Sequence, residues 1–203
     1  MQRHVSGESM ARPTQFDRTE VLDKAMLAFW RQGYSATSMV DLVETTHLKP
    51  GSLYAAFESK KALFLTTLDR YGAESEHNLR QHLDKASSPV AAIGEYFDEL
   101  ADIVERDTDK SSCFLVNTVL ELCRSDHEVR KHINGHLERV ESIFLTALQR
   151  AQEKREIGSN ADCEALAAFL MNNIWGLRVL AGTQPPQGKA RQVVNFVKQV
   201  LKQ

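Results

Sequence analysis

The chain has 203 residues, 42% hydrophobic and 26% charged, and 25 Lys and Arg stand against 27 Asp and Glu for a net charge of -2. That balance excludes a polybasic tail protein and an acidic disordered segment, and the hydrophobic share suffices for a packed core. Ten Gly and five Pro are few breakers for this length, which favours helices with short connections.

The first residues, Met1 to Ser9, are polar and lack the apolar region of a signal peptide. The longest apolar run, Ala165 to Met171, falls far short of the ~20 residues of a membrane helix. Three cysteines without metal-type pairing fit reduced thiols in a cytoplasm. Residues 1–13 are expected to be a mobile N-terminal segment.

Helical spacing runs through the chain, and strand-like alternation is nearly missing. Asp17 is placed to cap a helix whose stripe is Val21, Leu22, Ala25, Met26 and Phe29, stopped by Gly33. Thr37 or Ser38 caps a short second helix, with Ser38 and Asp41 spaced as a capping box. Thr45 to Lys49 reads as a turn, and Pro50 suits the first position of a third helix carrying Leu53 and Phe57. Ser59 caps a fourth helix that runs to Leu83. After the Ala86–Pro89 loop come helices marked by Ile93 to Val104, Phe114 to Leu122 and Val129 to Leu148, the last ending at Gly158-Ser159-Asn160. Thr108 to Ser112 is a polar break. Leu166 to Leu177 and Val193 to Leu201 mark the final two helices, around a Gly182–Gly188 turn. The expectation is an all-α fold of about nine helices: a three-helix helix-turn-helix domain over 14–64 and a larger helical domain over 65–203.

A tight turn between the second and third helices makes a helix-turn-helix, whose second member enters a major groove. The segment from Lys49 to Ala56 fits that role. Gly51, Ser52, Ala55 and Ala56 are small, Ser52 and Tyr54 carry hydroxyls, Lys49 is basic, and no acid occurs among them. Hydroxyls and Lys donate to phosphate oxygens. Lys60 and Lys61 begin the fourth helix, where backbone N–H groups also favour a phosphate. Three short helices in a row also occur in domains that do not bind DNA, so pattern alone leaves both readings open.

Gly33-Tyr34-Ser35-Ala36-Thr37-Ser38-Met39-Val40-Asp41-Leu42, and then Lys49-Pro50-Gly51-Ser52-Leu53-Tyr54-Ala55-Ala56-Phe57 with Ser59-Lys60, resemble the helix-turn-helix of the TetR family of bacterial transcriptional regulators. Trp175-Gly176-Leu177-Arg178-Val179-Leu180 resembles that family's eighth helix. The resemblance implies a cytoplasmic bacterial homodimer, with an N-terminal domain on a double-stranded DNA operator and a C-terminal domain that dimerises and senses a small-molecule inducer. It implies phosphate contacts by Thr37, Tyr54 and Lys60 beside the cap residue Ser38, and base-edge contacts by Lys49, Gly51, Ser52 and Ala55. Ser52 stands where Thr is frequent, and Ala56 where many members carry His or Tyr, which removes one backbone anchor.

Cys113 opens the sixth helix and Cys123 follows ten residues later. On a continuous helix that is about 15 Å, too far for a disulfide. This pattern resembles the TetR branch that includes N-ethylmaleimide-responsive, electrophile-sensing repressors, which makes Cys113 a redox sensor candidate. The other reading is a small packed residue. The lysine expected near the eighth helix is not evident from Val179 to Thr183.

Candidate pocket residues are Phe97, Phe114, Asn117, Glu121, Phe144, Asn172, Asn173 and Trp175, with plain core as the rival reading of the apolar ones. Leu170, Ile174, Leu177, Val194, Val197 and Leu201 are expected at the dimer interface. His132 and His136 share a helix face but lack a third ligand, so no metal is expected, nor any cofactor. No phosphate loop, Ser-x-x-Lys or paired-carboxylate pattern points to an enzyme. The sequence therefore reads as a sequence-specific DNA-binding regulator, a repressor released by a ligand or by cysteine modification. The alternatives are an activator of the same fold or a helical dimerisation module without DNA binding.

Overall fold

The computed structural model describes residues 16–106, 113–183 and 185–202. The expected mobile segment over 1–13 and the polar break at 108–112 lie outside these residues. Among the described residues there are nine helices and no strand. They are α1 (Arg18–Gln32), α2 (Met39–Thr46), α3 (Pro50–Phe57), α4 (Lys60–Asp84), α5 (Pro89–Arg106), α6 (Phe114–Leu122), α7 (His127–Glu153), α8 (Cys163–Ala181) and α9 (Lys189–Val200).

Local chemistry sets most of the boundaries. The Asp17 carboxylate accepts from the Thr19 and Glu20 N–H groups at the start of α1. Gly33 ends that helix at φ 82°, a left-handed angle that a side chain would strain. Ser38 and Asp41 close a reciprocal capping box on α2, and Pro50 occupies the first turn of α3. Asp126 and Asp162 cap α7 and α8.

One boundary differs from expectation. α7 stops at Glu153, five residues before Gly158, because Arg155 adopts a left-handed φ of 59°. The Gln152 amide then donates to the carbonyls of Gly158, Ser159 and Ala161, and Ile157 folds back into the core.

Two apolar cores form. One joins α1 to α4 through Val21, Phe29, Leu42, Leu53, Phe57 and Phe64, and it takes in α6 and the start of α7 through Phe114, Leu122, Val129 and Ile133. Phe29, Phe64 and Phe114 meet edge to face there. The other fills the space between the far half of α4 and α5, α7, α8 and α9. Trp175 packs against both cores. α6 is therefore built into the core of the helix-turn-helix, so chain order alone misplaces it.

Candidate nucleic-acid interface and cavity

α3 is anchored by Leu53 and Phe57, both buried, and this turns Gly51, Tyr54 and Ala55 to the surface. Lys49 caps the helix with its backbone only, so no side chain occupies the N-terminal N–H groups, and its own side chain is exposed. A Cβ built on Gly51 meets nothing within 4 Å. Packing within the chain therefore does not require glycine there, and the bare backbone is open to close approach from outside. The exposed surface of α3 carries no acid until Glu58, beyond its end.

Two expected phosphate ligands are turned inward. Thr37 is fully buried and its hydroxyl donates to the Gly33 carbonyl at 2.6 Å, so it holds the α1–α2 turn instead of facing solvent. Lys60 donates to the carbonyls of Tyr34 and Thr37, both at 2.8 Å, and its ammonium lies 4.2 Å from the centre of the Tyr34 ring. The Lys61 ammonium is drawn to Asp126 and Glu128 at the start of α7. All three side chains fasten the α1–α2 turn or the start of α7 from within the chain.

Arg18 escaped sequence reasoning. Its guanidinium lies 4.5 Å from the centre of the Phe57 ring and donates to the Ala56 carbonyl at 3.2 Å, bracing the end of α3. Tyr54 remains half-exposed.

A cavity of about 60 Å³ lies where the two cores meet. α4 contributes Tyr71, Ser75 and Leu79, α5 contributes Tyr96, and α6 contributes Leu115, Val116 and its cap Cys113. α7 adds His136, Leu137 and Val140, and α8 adds Met171, Ile174, Trp175 and Arg178. Among the described residues this wall has no carboxylate. The buried Cys113 Sγ lies 3.5 Å from the Tyr71 hydroxyl, and Cys113 makes no side-chain cap bond to α6. Burial pushes the Tyr71 and Tyr96 phenols well up, so both stay protonated at neutral pH.

Of the expected pocket residues, only Trp175 lines this cavity. Phe97 and Phe144 lie in the second core and Phe114 in the first. The half-buried Asn117 is on α6, outside the wall. Asn172 is exposed, and the Asn173 amide donates to the Phe169 carbonyl at 2.8 Å. Glu121 faces away from the cavity and accepts from the N–H groups of Tyr34 and Ser35 at 3.0 and 2.7 Å. The expected interface residues need a similar correction. Leu170, Leu177, Val194, Val197 and Leu201 are all buried inside the chain, and Ile174 lines the cavity, so none offers a free face. The exposed large apolar side chains of α8 and α9 are Val179 and Phe196.

His132 and His136 turn to carboxylates, each with Nδ1 at 2.6 Å, from Asp69 and Glu76 respectively. Among the described residues no group of three or more metal-type ligands forms, and no helix is long and apolar enough to cross a membrane.

Residues 21–67 match the profile of bacterial regulatory proteins of the tetR family, and residues 89–193 match the tetracyclin repressor-like C-terminal domain. The chain belongs to the tetR family. The HTH-type transcriptional repressor ComR of Escherichia coli K12 is 33% identical over 176 residues, which span 86% of this chain and 83% of that one. An uncharacterized HTH-type regulator of Bacillus subtilis, YezE, is 26% identical over 95% of this chain and all of its own length. A cysteine mutant of the TetR family regulator CifR, solved with 26-base-pair operator DNA, superposes with a TM-score of 0.79 at 28% identity, covering 95% of this chain and 98% of that one. Reduced NemR of E. coli shares the fold at 18% identity and a TM-score of 0.82, over 90% and 95% of the two chains. As a tetR-family member, the chain is a DNA-binding transcriptional regulator, a class of regulators and not of enzymes.

Proposed function

We propose that the chain is a homodimeric repressor that sets α3 of each subunit into a major groove of a palindromic operator. An organic ligand in the cavity between α4 and α8 releases it. The acid-free outer surface of α3, with Lys49 at its uncapped start and open space over Gly51, carries this reading. The likeness to the repressor ComR supports repression. Lys49, Gly51, Ser52, Tyr54 and Ala55 are the DNA contacts, braced by Arg18 and by the Ser38-capped α2.

The dimer forms across α8 and α9 through a different face from the one the apolar stripes suggested. Phe169, Asn172, Gly176 and Val179 share one side of α8, and Val193, Phe196 and Val200 one side of α9. A Cβ on Gly176 meets nothing within 4 Å, which lets a partner helix approach closely. The test is selection of genomic DNA fragments followed by footprinting. The expected footprint holds two inverted half-sites about one helical turn or more apart. An asymmetric single site, or no enriched fragment, would refute the reading.

Cys113 supports a second release signal, because its sulfur lines the same cavity. An electrophile small enough to enter would add to the thiol and displace it from Tyr71. The test is N-ethylmaleimide treatment of the parent and of Cys113→Ser, read as loss of DNA binding.

A further inference from the structure

Among the described residues, four arginines are only partly exposed: Arg70, Arg150, Arg178 and Arg191. Three of them meet aspartates: Arg70 pairs with Asp23, Arg150 with Asp84, and Arg191 with Asp98 and Asp102. Arg178 is different. It lines the cavity together with Tyr96 and Tyr71, and the described cavity wall offers it no carboxylate. Taking a guanidinium out of water without a counter-charge is costly. An anion in the cavity would supply that counter-charge. Arg178 brings a planar fork of donors suited to a carboxylate, and the protonated Tyr96 and Tyr71 hydroxyls can add neutral donors beside it.

The rest of the wall sets the body of the ligand. Trp175, Val116 and Met171 are apolar, and 60 Å³ is room for roughly four waters, the bulk of a short-chain acid. We infer that the cavity is a binding site for a small organic carboxylic acid, with its carboxylate on Arg178 and Tyr96 and its apolar body against Trp175, Val116 and Met171. This rests on the reading of the chain as a ligand-released repressor and names the class of ligand that this site takes. Cys113 and Ser75 line the same cavity, so the acid and a thiol-modifying reagent would compete for it.

The test is calorimetric titration of the full chain, without DNA, with acetate, propionate and butyrate and with the amide of each. At least one acid should bind about tenfold more tightly than its amide, as expected for a charge-assisted pair. Arg178→Gln should bring that acid and its amide to near parity, and Arg178→Lys should keep part of the preference. The inference is overturned if no acid is preferred over its amide in the parent, or if the preference survives in Arg178→Gln. The parent comparison decides by itself if Arg178→Gln does not fold. Acid binding that leaves the DNA complex intact supports the site and contradicts the release mechanism, so the two failures are distinguishable.

Discussion

The Glu121 carboxylate clasps the Ser35 N–H at 2.7 Å, joining residues 86 positions apart in the chain. Its other oxygen takes the Tyr34 N–H at 3.0 Å. Through this clasp the end of α6 holds the α1–α2 turn, and Ser38 at the end of that turn caps α2. The opposite end of α6 is Cys113, in the cavity wall. One short helix thus spans from the cavity to the helix-turn-helix, alongside the longer α4.

Cutting that link should uncouple ligand from DNA. Glu121→Gln keeps the shape and loses the charge. DNA affinity without ligand should change little, while the ligand's effect on it should shrink by about three- to tenfold, within the usual 1–3 kcal/mol range of allosteric coupling. Anisotropy titrations with and without ligand measure it. An unchanged ligand effect would leave α4 as the sole route.

The same carboxylate makes a pH prediction. Burial works against its charge, but the Ser35 and Tyr34 hydrogen bonds and the nearby Lys60 outweigh that and hold its carboxyl below the ordinary 4.5. A carboxylate depressed on folding stabilises the native state fully above its unfolded value and loses that contribution as pH falls through the folded one. The difference in melting temperature between parent and Glu121→Gln should therefore be constant from pH 6 to 8 and narrow below about pH 4.5. A difference that grows on acidification would contradict the clasp.

Gly51 separates folding from DNA contact. Gly51→Ala adds a methyl into open space on a helix, so the fold should be unharmed or slightly stabilised, by up to about 1 kcal/mol. DNA affinity should fall by about tenfold, because the methyl meets a groove wall in the complex. Melting curves and anisotropy on the same preparation test both halves. Unaltered affinity would move the contact surface away from the start of α3.

Phe196 tests the dimer. It is 61% exposed on α9. Phe196→Asp puts a charge where we place the partner helix, and it should yield monomers by sedimentation with the melting temperature nearly unchanged. Val194→Asp, at a fully buried position, should instead unfold the chain. A dimeric Phe196→Asp would place the interface elsewhere.

The helices were legible in the sequence because their punctuation is local. Asp17, Ser38 with Asp41, and Ser59 each cap N–H groups within a few residues, and Pro50 lacks the N–H that a first turn would leave unpaired. The exposed side of α3 was legible for the same reason, since Leu53 and Phe57 fix which side is inside. Direction in space was not legible. α9 carries two apolar stripes, and spacing does not say that Val194 and Val197 face the core while Phe196 faces out. Thr37 and Lys60 look like phosphate ligands until the turn carbonyls are brought beside them. Glu121 and Arg178 show their surroundings only when groups distant in sequence arrive, the Tyr34–Ser35 turn for one and the cavity wall from four other helices for the other.

The most direct test of the central claim is the salt dependence of binding to a selected operator fragment, for the parent and for Lys49→Ala. Neutralising phosphates makes the logarithm of affinity fall with the logarithm of salt, by about 0.9 per phosphate contacted. With Lys49, exposed at the start of α3, set on a phosphate instead of the base edge that the resemblance implied, the slope should be steep for the parent and shallower by about two for Lys49→Ala, one Lys49 from each subunit. A slope identical in the two proteins, or no duplex bound even at low salt, would contradict it.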